Sequence, residues 1–221
     1  MSGKGIVIGI YMPVESASRT FEGRLIKGVR DHMEKILYLM RHGQTLFNVR
    51  RKIQGVCDAP LTELGIGQAR KAAEYFAEHQ ITFDHAYSST SERACDTLEI
   101  VTGMPYKRMK GLKEWNFGVF EGESEDLNPK LPYGDYFKAF GGEGEIEVRE
   151  RMNRTLTEIM DREEHQVVLA VSHGASCRQF MRHWEHTSPV VPKGRLGNCC
   201  ILKFKYSNGR FELSEIVNPN P

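Results

Sequence analysis

The chain has 221 residues, 40% of them hydrophobic and 27% charged, with a formal net charge of +1. That length suits one generous domain with a full core, and the near-neutral balance gives no bulk electrostatic pull toward nucleic acid or a membrane surface. The five cysteines (Cys57, Cys95, Cys177, Cys199 and Cys200) show neither CxxC spacing nor a disulfide framework, which reads as reduced thiols in a cytoplasmic protein.

Along the chain, "GIVIGIYM" is far too short to span a membrane, and no convincing small-residue cleavage site follows it. Met33 begins "MEKILYLM", a natural start just before a strand. The expectation is therefore an N-terminal extension of uncertain origin over residues 1–32, and one domain over 33–221. Ile36 to Met40 is a continuous apolar run, the pattern of a strand buried on both faces. A helix is predicted from Thr62, which can cap it, with Ala69, Ala72, Ala73 and Phe76 at helical spacing. Asp84 to Ser88 reads as a strand. A helix follows from Ser91, with Ala94, Leu98 and Val101 on one face and Gly103 as its stop.

Residues 118–145, rich in glycine and aromatics, read as an inserted lid. Ile146, Met152, Leu156 and Ile159 mark a longer helix. "VVLAV", Val167 to Val171, is a second fully buried strand, and Gly174 opens a helix running to about His186. Cys200 to Tyr206 alternates, and Asn208-Gly209 is a hairpin turn into Phe211 to Val217. The alternation predicts an α/β fold: a three-layer sandwich with a mostly parallel central sheet, an antiparallel margin, helices on both faces and the lid.

In such sheets ligands bind beyond the carboxyl ends of the strands. Two greasy strands end there on Arg41-His42-Gly43 and Ser172-His173-Gly174. A single histidine at a strand end is more often structural, but a pair at one sheet edge is a different matter. Arg41 adjoins His42, and Arg93 follows the Asp84 to Ser88 strand. Two guanidiniums converging on two imidazoles make a cationic pocket suited to a phosphoryl group, whose oxygens match guanidinium bidentately. Gly43 and Gly174 are expected to let the backbone approach the anion closely. Nothing in this chemistry calls for a metal.

The pieces "LMRHGQTLFN", "QGVCDAPLTELGIGQA", "SSTSERACDT", "LKEWNFGVFEG" and "VSHGASCR", in this order, resemble the histidine phosphatase superfamily, the group that includes cofactor-dependent phosphoglycerate mutase. The resemblance implies that His42 is the nucleophile and carries a phosphohistidine intermediate. Arg41, Arg93 and His173 would bind the non-bridging oxygens, with His173 most useful protonated. Asn48 and Gln54 fall on phosphate-pocket positions, although each amide could equally brace a loop. Glu114 matches the proton donor, a role needing a raised pKa that burial beside Trp115 could supply and nearby arginines would oppose. Glu121 is its competitor.

The pocket could pass the phosphoryl group to water or back to a sugar acid. The stretch from Glu121 to Glu145 carries Lys130 and Lys138 against seven acidic residues, so no clamp for a phosphoglycerate carboxylate is evident there. "GVFEG" resembles the phosphatase branch, as does "GGEGEIEV", with Gly144 where that branch has serine. The expectation is a phosphoric monoester hydrolase acting on a small phosphorylated metabolite without a cofactor. The alternatives are a phosphoglycerate mutase and a non-catalytic phospho-ligand binder. No nucleic acid or membrane partner is expected, and homo-oligomerisation stays open.

Other features read as scaffold. His183 and His186 lie three apart on a helix without a third ligand, and His79, His85 and His165 fall near element ends with no visible partners. The aromatics Trp115, Phe117, Phe120, Tyr133, Tyr136, Phe137 and Phe140 line the substrate mouth or form the lid's own core.

Overall fold

A computed structural model describes residues 34–191 and 194–220; the extension expected over 1–32 lies outside them. The six strands are β1 (Lys35–Arg41), β2 (His85–Ser89), β3 (Tyr106–Met109), β4 (Val167–Ser172), β5 (Ile201–Ser207) and β6 (Arg210–Val217). They form one sheet in the order β3-β2-β4-β1-β5-β6. The first four positions run parallel, while β5 and β6 pair antiparallel at one margin. The helices are α1 (Leu46–Val49), α2 (Glu63–Glu78), α3 (Glu92–Val101), α4 (Glu145–Met160) and α5 (Gly174–His183).

Strand pleat sends successive side chains to opposite faces, and β1 and β4 use both. Leu37, Leu39, Val168 and Ala170 join a core with Met152, Leu156 and Ile159 of α4 and Phe180 of α5. Tyr38, Met40, Leu169 and Val171 join a second core with Ala69, Ala72 and Phe76 of α2 and Leu98 of α3. This is the physical reason the two runs are unbroken: a strand covered by helices above and below has no face left for a polar residue. Leu37, Leu39 and Met40 have no exposed surface, and each burial contributes about 1.5–3 kcal/mol.

The helix starts follow local chemistry. Thr62 caps α2, its Oγ1 accepting from Gly65 N at 3.0 Å. Ser91 makes no side-chain cap to α3; instead Asp58 Oδ2 accepts the Glu92 N–H at 2.6 Å. At Gly144, which opens α4 without a side chain, Glu147 Oε2 reaches back to the Gly144 N–H at 2.8 Å. Asn208 and Gly209 both take positive φ (51° and 75°), the backbone that a tight hairpin turn demands.

Some expectations shift. The α3 helix stops at Val101, with Thr102 extended, rather than at Gly103, and α5 ends at His183, followed by a short 3-10 turn over Glu185–Thr187. Ile146 is exposed, and Val148 takes the buried position at the start of α4. Within residues 118–145, three short 3-10 segments and the turns between them wrap a third small core of Ile53, Trp115, Phe117, Phe137 and Val148. No helix among the described residues is long and apolar enough to cross a membrane.

Candidate active site

Register assembles the centre. In the β1–β4 ladder Arg41 lies opposite Ser172, so the next residue of each strand, His42 and His173, emerge side by side. The His42 N–H donates to Ser172 O at 3.0 Å, and the two imidazole centroids are 5.2 Å apart. Both side chains are buried, at 4% and 0% exposure.

His42 Nδ1 lies 2.7 Å from the Gly43 carbonyl, which can only accept. The ring hydrogen therefore sits on Nδ1, and Nε2 keeps its lone pair. Burial first, then Arg93 and Arg41, push the His42 pKa well below the ordinary histidine value. The ring is thus neutral, and its Nε2 lone pair accepts from Arg93 Nε at 3.4 Å. Its own carbonyl is braced from behind by Asn198 Nδ2 at 3.1 Å and the Cys199 N–H at 3.3 Å. Cys199 takes a left-handed φ of 54° to do so, a strained conformation for a residue with a side chain.

His173 Nε2 lies 2.8 Å from Ser89 Oγ, and its Nδ1 is buried without a protein partner. Ser89 Oγ also lies 3.5 Å from Ser91 Oγ, to which it can donate, so the ring tautomer follows its one hydroxyl hydrogen: when this goes to His173 Nε2, the ring hydrogen sits on Nδ1 as a donor with no protein partner. Burial first, then Arg93 and His42, push its pKa well below the ordinary value. The electrostatics thus favour neutral imidazole over the expected imidazolium; one N–H remains to offer an anion.

Arg41 anchors Nη1 on the Leu196 carbonyl at 2.6 Å and leaves Nε buried and unpartnered. Arg93 is more committed. Its Nη1 binds Asp58 Oδ1 at 2.8 Å and Cys57 O at 3.0 Å, and its Nη2 binds Gly55 O at 3.0 Å. Bidentate capture of phosphate by two free guanidiniums is therefore not the arrangement found; Arg93 turns one donor toward His42 and spends the rest on the 54–58 loop. Gln54 Oε1 accepts from Thr45 Oγ1 at 2.7 Å, while its Nε2 is buried and unpartnered. Asn48 Oδ1 accepts from Thr45 N at 3.1 Å and Asn198 Nδ2 at 3.2 Å. In both amides the oxygen is occupied, which turns the NH2 group outward as a donor; both residues line the cavity beside His42.

The glycines have a steric cause that the sequence did not show. A Cβ on Gly43 would stand 2.6 Å from the Gly65 carbonyl oxygen, so Gly43 is required by the close approach of the α2 N-terminus. A Cβ on Gly174 would stand 3.2 Å from Arg41 Nε. That glycine makes room for the guanidinium.

The two glutamates separate cleanly. Glu114 is 7% exposed and lines the cavity with His42. Its oxygens accept the N–H groups of Ala175 (2.9 Å) and Ser176 (2.8 Å) at the start of α5, and of Trp115 (2.9 Å). Arg151 holds its loop by donating to Gly111 O (2.9 Å), Lys113 O (2.9 Å) and Glu114 O (3.3 Å). Glu121 points elsewhere, accepting from the N–H groups of Gly55, Val56, Cys57 and Phe117 at 2.9–3.1 Å. It shapes the loop that Arg93 also grips.

The cavity is about 520 Å³, within the usual range for a small-molecule site. Trp115, Phe117 and Tyr133 form part of its wall, while Phe137 is sealed in the core beneath. Its outer part carries cations that sequence reasoning passed over: Lys52, Arg178, Arg182 and Arg195. They come from α5 and from loops outside residues 121–145. Arg182 and Arg149 both pair with Glu145 Oε1 at 2.8 Å, and Arg178 Nη2 donates to Gly194 O at 2.5 Å. The helical spacing of Arg178 and Arg182 after His173 was the signal available in sequence. Asn198 and Ser89 left none.

Residues 37–219 match the profile of the histidine phosphatase superfamily (branch 1). A relative from Proteus mirabilis (strain HI4320), "Probable phosphoglycerate mutase GpmB", is 32% identical over 78% of this chain and 85% of its own length. "Uncharacterized phosphatase PhoE" of Bacillus subtilis (strain 168) is 28% identical over 80% of this chain and 91% of its own. Among solved structures, the phosphoserine phosphatase of Entamoeba histolytica, in complex with 3-phosphoglyceric acid, superposes with a TM-score of 0.65. It is 28% identical, covering 82% of this chain and 95% of that one.

Proposed function

The chain belongs to the histidine phosphatase superfamily, and within it we propose that this protein hydrolyses the monoester of a small phosphorylated metabolite through a phosphohistidine on His42. The observation that carries the reading is the state of His42: a buried neutral imidazole, its Nδ1–H committed to Gly43 O at 2.7 Å, with a lone pair on Nε2. A nucleophile needs that lone pair. Nε2 forms a bond to phosphorus as the ester P–O bond breaks. The charge on the transferring group is met by Arg41 Nε, the Arg93 guanidinium, His173 Nδ1–H and the amides of Asn48 and Gln54. Glu114 gives the leaving alkoxide its proton. In the second half it takes a proton from the water that attacks phosphorus, so it ends the cycle as it began. Charge neutralisation is assigned to side chains throughout, and no step calls for a metal or an organic cofactor.

Residues 118–145 act in this reading as the lid that sets substrate identity. The absence of any bridge among the five thiols supports a cytoplasmic setting.

The second reading, a phosphoglycerate mutase, is favoured by one observation: Lys52, Arg178, Arg182 and Arg195 line the outer cavity, where a carboxylate could lie. We rank it second because Arg182 is already engaged with Glu145, a carboxylate it shares with Arg149, and Arg195 stands 3.9 Å from Glu125. The deciding experiment is a panel of sugar phosphates, phosphoglycerates and phosphoamino acids, assayed for released phosphate. Hydrolysis is expected to exceed isomerisation; interconversion of phosphoglycerates faster than phosphate release, stimulated by 2,3-bisphosphoglycerate, would establish the mutase instead.

A further inference from the structure

The amino ends of β2 and β4 bring together two histidines that the phosphoryl chemistry does not use. One ligand atom from each of His85, Glu164 and His165 lies within 4.8 Å of the others, and among the described residues this is the one such trio. The two imidazole centroids are 3.9 Å apart. His173 − His165 spans 173 − 165 = 8 residues of a parallel strand and its ends, so the trio stands on the order of 25 Å from the phosphoryl site. We propose that His85, His165 and Glu164 bind a divalent transition-metal ion of the Zn2+ class at this edge of the sheet.

Three features beyond proximity support a ligand set. His165 Nδ1 lies 2.6 Å from the Ile159 carbonyl, so it carries the hydrogen and Nε2 keeps its lone pair. His85 Nδ1 lies 3.0 Å from Asp84 Oδ1, which makes the same assignment for the second ring. Metal-ligating histidines usually donate their other nitrogen to a carbonyl or a carboxylate, and here one does each. The Asp84 carboxylate is itself fixed, since Oδ2 accepts the N–H groups of Gln166 (2.8 Å) and Val167 (2.7 Å). The second nitrogens are thus aimed by fixed partners.

Electrostatics permit the site. Arg162 is the opposing cation, against the carboxylates of Glu164 and Asp84. Tyr87 Oη, 3.3 Å from His165 Nε2, would have to yield its hydrogen bond or approach the ion. Zn–N and Zn–O bonds of about 2.0–2.2 Å require the trio to close further, and the side chain best able to move is Glu164, 60% exposed. Three protein ligands leave the fourth position to water. Because His85 opens β2 and His165 leads into β4, an ion here ties two neighbouring strands.

The test is calorimetric titration of ZnCl2 into the chelator-treated full-length protein, repeated on His85→Asn and Glu164→Gln, both at partly exposed positions. One Zn2+ per chain is expected, weakened about tenfold or more by either substitution. At one hundred times Kd the wild-type Tm should rise by about 5–10 °C, and by much less in the variants. Co2+ in place of Zn2+ should give a visible spectrum of nitrogen and oxygen ligation. No stoichiometric binding, binding unchanged in both variants, a thiolate charge-transfer band, or binding lost in His42→Ala but not in His85→Asn would each overturn the assignment.

Discussion

Removing the carboxylate of Asp58 is the perturbation with the clearest consequence. Arg93 has no exposed surface, and Asp58 is the acidic partner of its Nη1 at 2.8 Å, itself 30% exposed. The same carboxylate accepts the first N–H of α3 at 2.6 Å. Breaking a buried ion pair from one side costs about 3–5 kcal/mol, because the remaining charge stays in the interior. Partial exposure of Asp58 and the carbonyls of Gln54, Gly55 and Cys57 that remain on Arg93 argue for the lower end, about 3 kcal/mol in Asp58→Ala. At about 2–4 °C per kcal/mol for a domain of this size, Tm should fall by about 6–12 °C. Asp58→Asn keeps one neutral acceptor for Arg93 Nη1 but puts an NH2, which cannot accept, where Oδ2 took the Glu92 N–H, and should cost about 1–2 kcal/mol. Urea unfolding of the three proteins, with unchanged m-values, measures both numbers. Because Arg93 also faces His42 Nε2 at 3.4 Å, kcat should fall about tenfold or more in Asp58→Ala, which is about 1.4 kcal/mol of barrier. If Asp58→Ala matched Asp58→Asn in stability and kept wild-type kcat, the idea that this pair positions Arg93 would be wrong.

Three further outcomes follow from the same geometry. Gly43→Ala places a methyl 2.6 Å from the Gly65 carbonyl oxygen and should destabilise by about 2–3 kcal/mol, whereas Gly103→Ala, with nothing within 4 Å, should change stability by less than about 1 kcal/mol in the same urea assay. For pH, His42 and His173 both have folded pKa values pushed well below the ordinary one by burial and by the arginines. As pH falls below about 6.5 the unfolded chain takes up protons the folded chain refuses, so stability is present above that value and lost toward the folded pKa values. Each histidine contributes up to about 1.4 kcal/mol per pH unit, so wild type should lose stability more steeply from pH 6.5 to 5.5 than His42→Gln/His173→Gln; parallel slopes would contradict this. Ser89→Ala removes the hydroxyl that holds His173 Nε2 at 2.8 Å and should lower kcat about tenfold while moving Tm little, with a normal kcat as the adverse result.

Much of this was readable in the sequence where one local rule decides the outcome. The unbroken apolar runs of β1 and β4 reflect helices on both faces, and their carboxyl ends deliver His42 and His173 because parallel register makes those residues neighbours. β3 was not readable: "YKRM" is four residues at a sheet edge, with two adjacent exposed charges, Lys107 and Arg108, in place of a strand's alternation. Nor was α1, a single turn held by Thr45 and Asn48. Motif order favoured Glu114 over Glu121, and the difference in their surroundings came only with the fold: each accepts several backbone N–H groups, and Glu114 lines the cavity while Glu121 does not. The steric need for the two glycines could not be read, because their neighbours Gly65 and Arg41 are set by tertiary packing. His85 and His165 looked partnerless in a chain where they stand 165 − 85 = 80 residues apart, and pairing of β2 with β4 brings them together.

The central claim is that the phosphoryl group passes through His42. Rapid mixing of the protein with a turned-over phosphomonoester, followed by denaturation and peptide mapping, measures it directly. One acid-labile, alkali-stable phosphoryl group per chain on His42 is the expected result, absent from a folded His42→Ala protein that no longer releases phosphate. Label on a serine or on His173, or full hydrolysis by His42→Ala, would contradict the account.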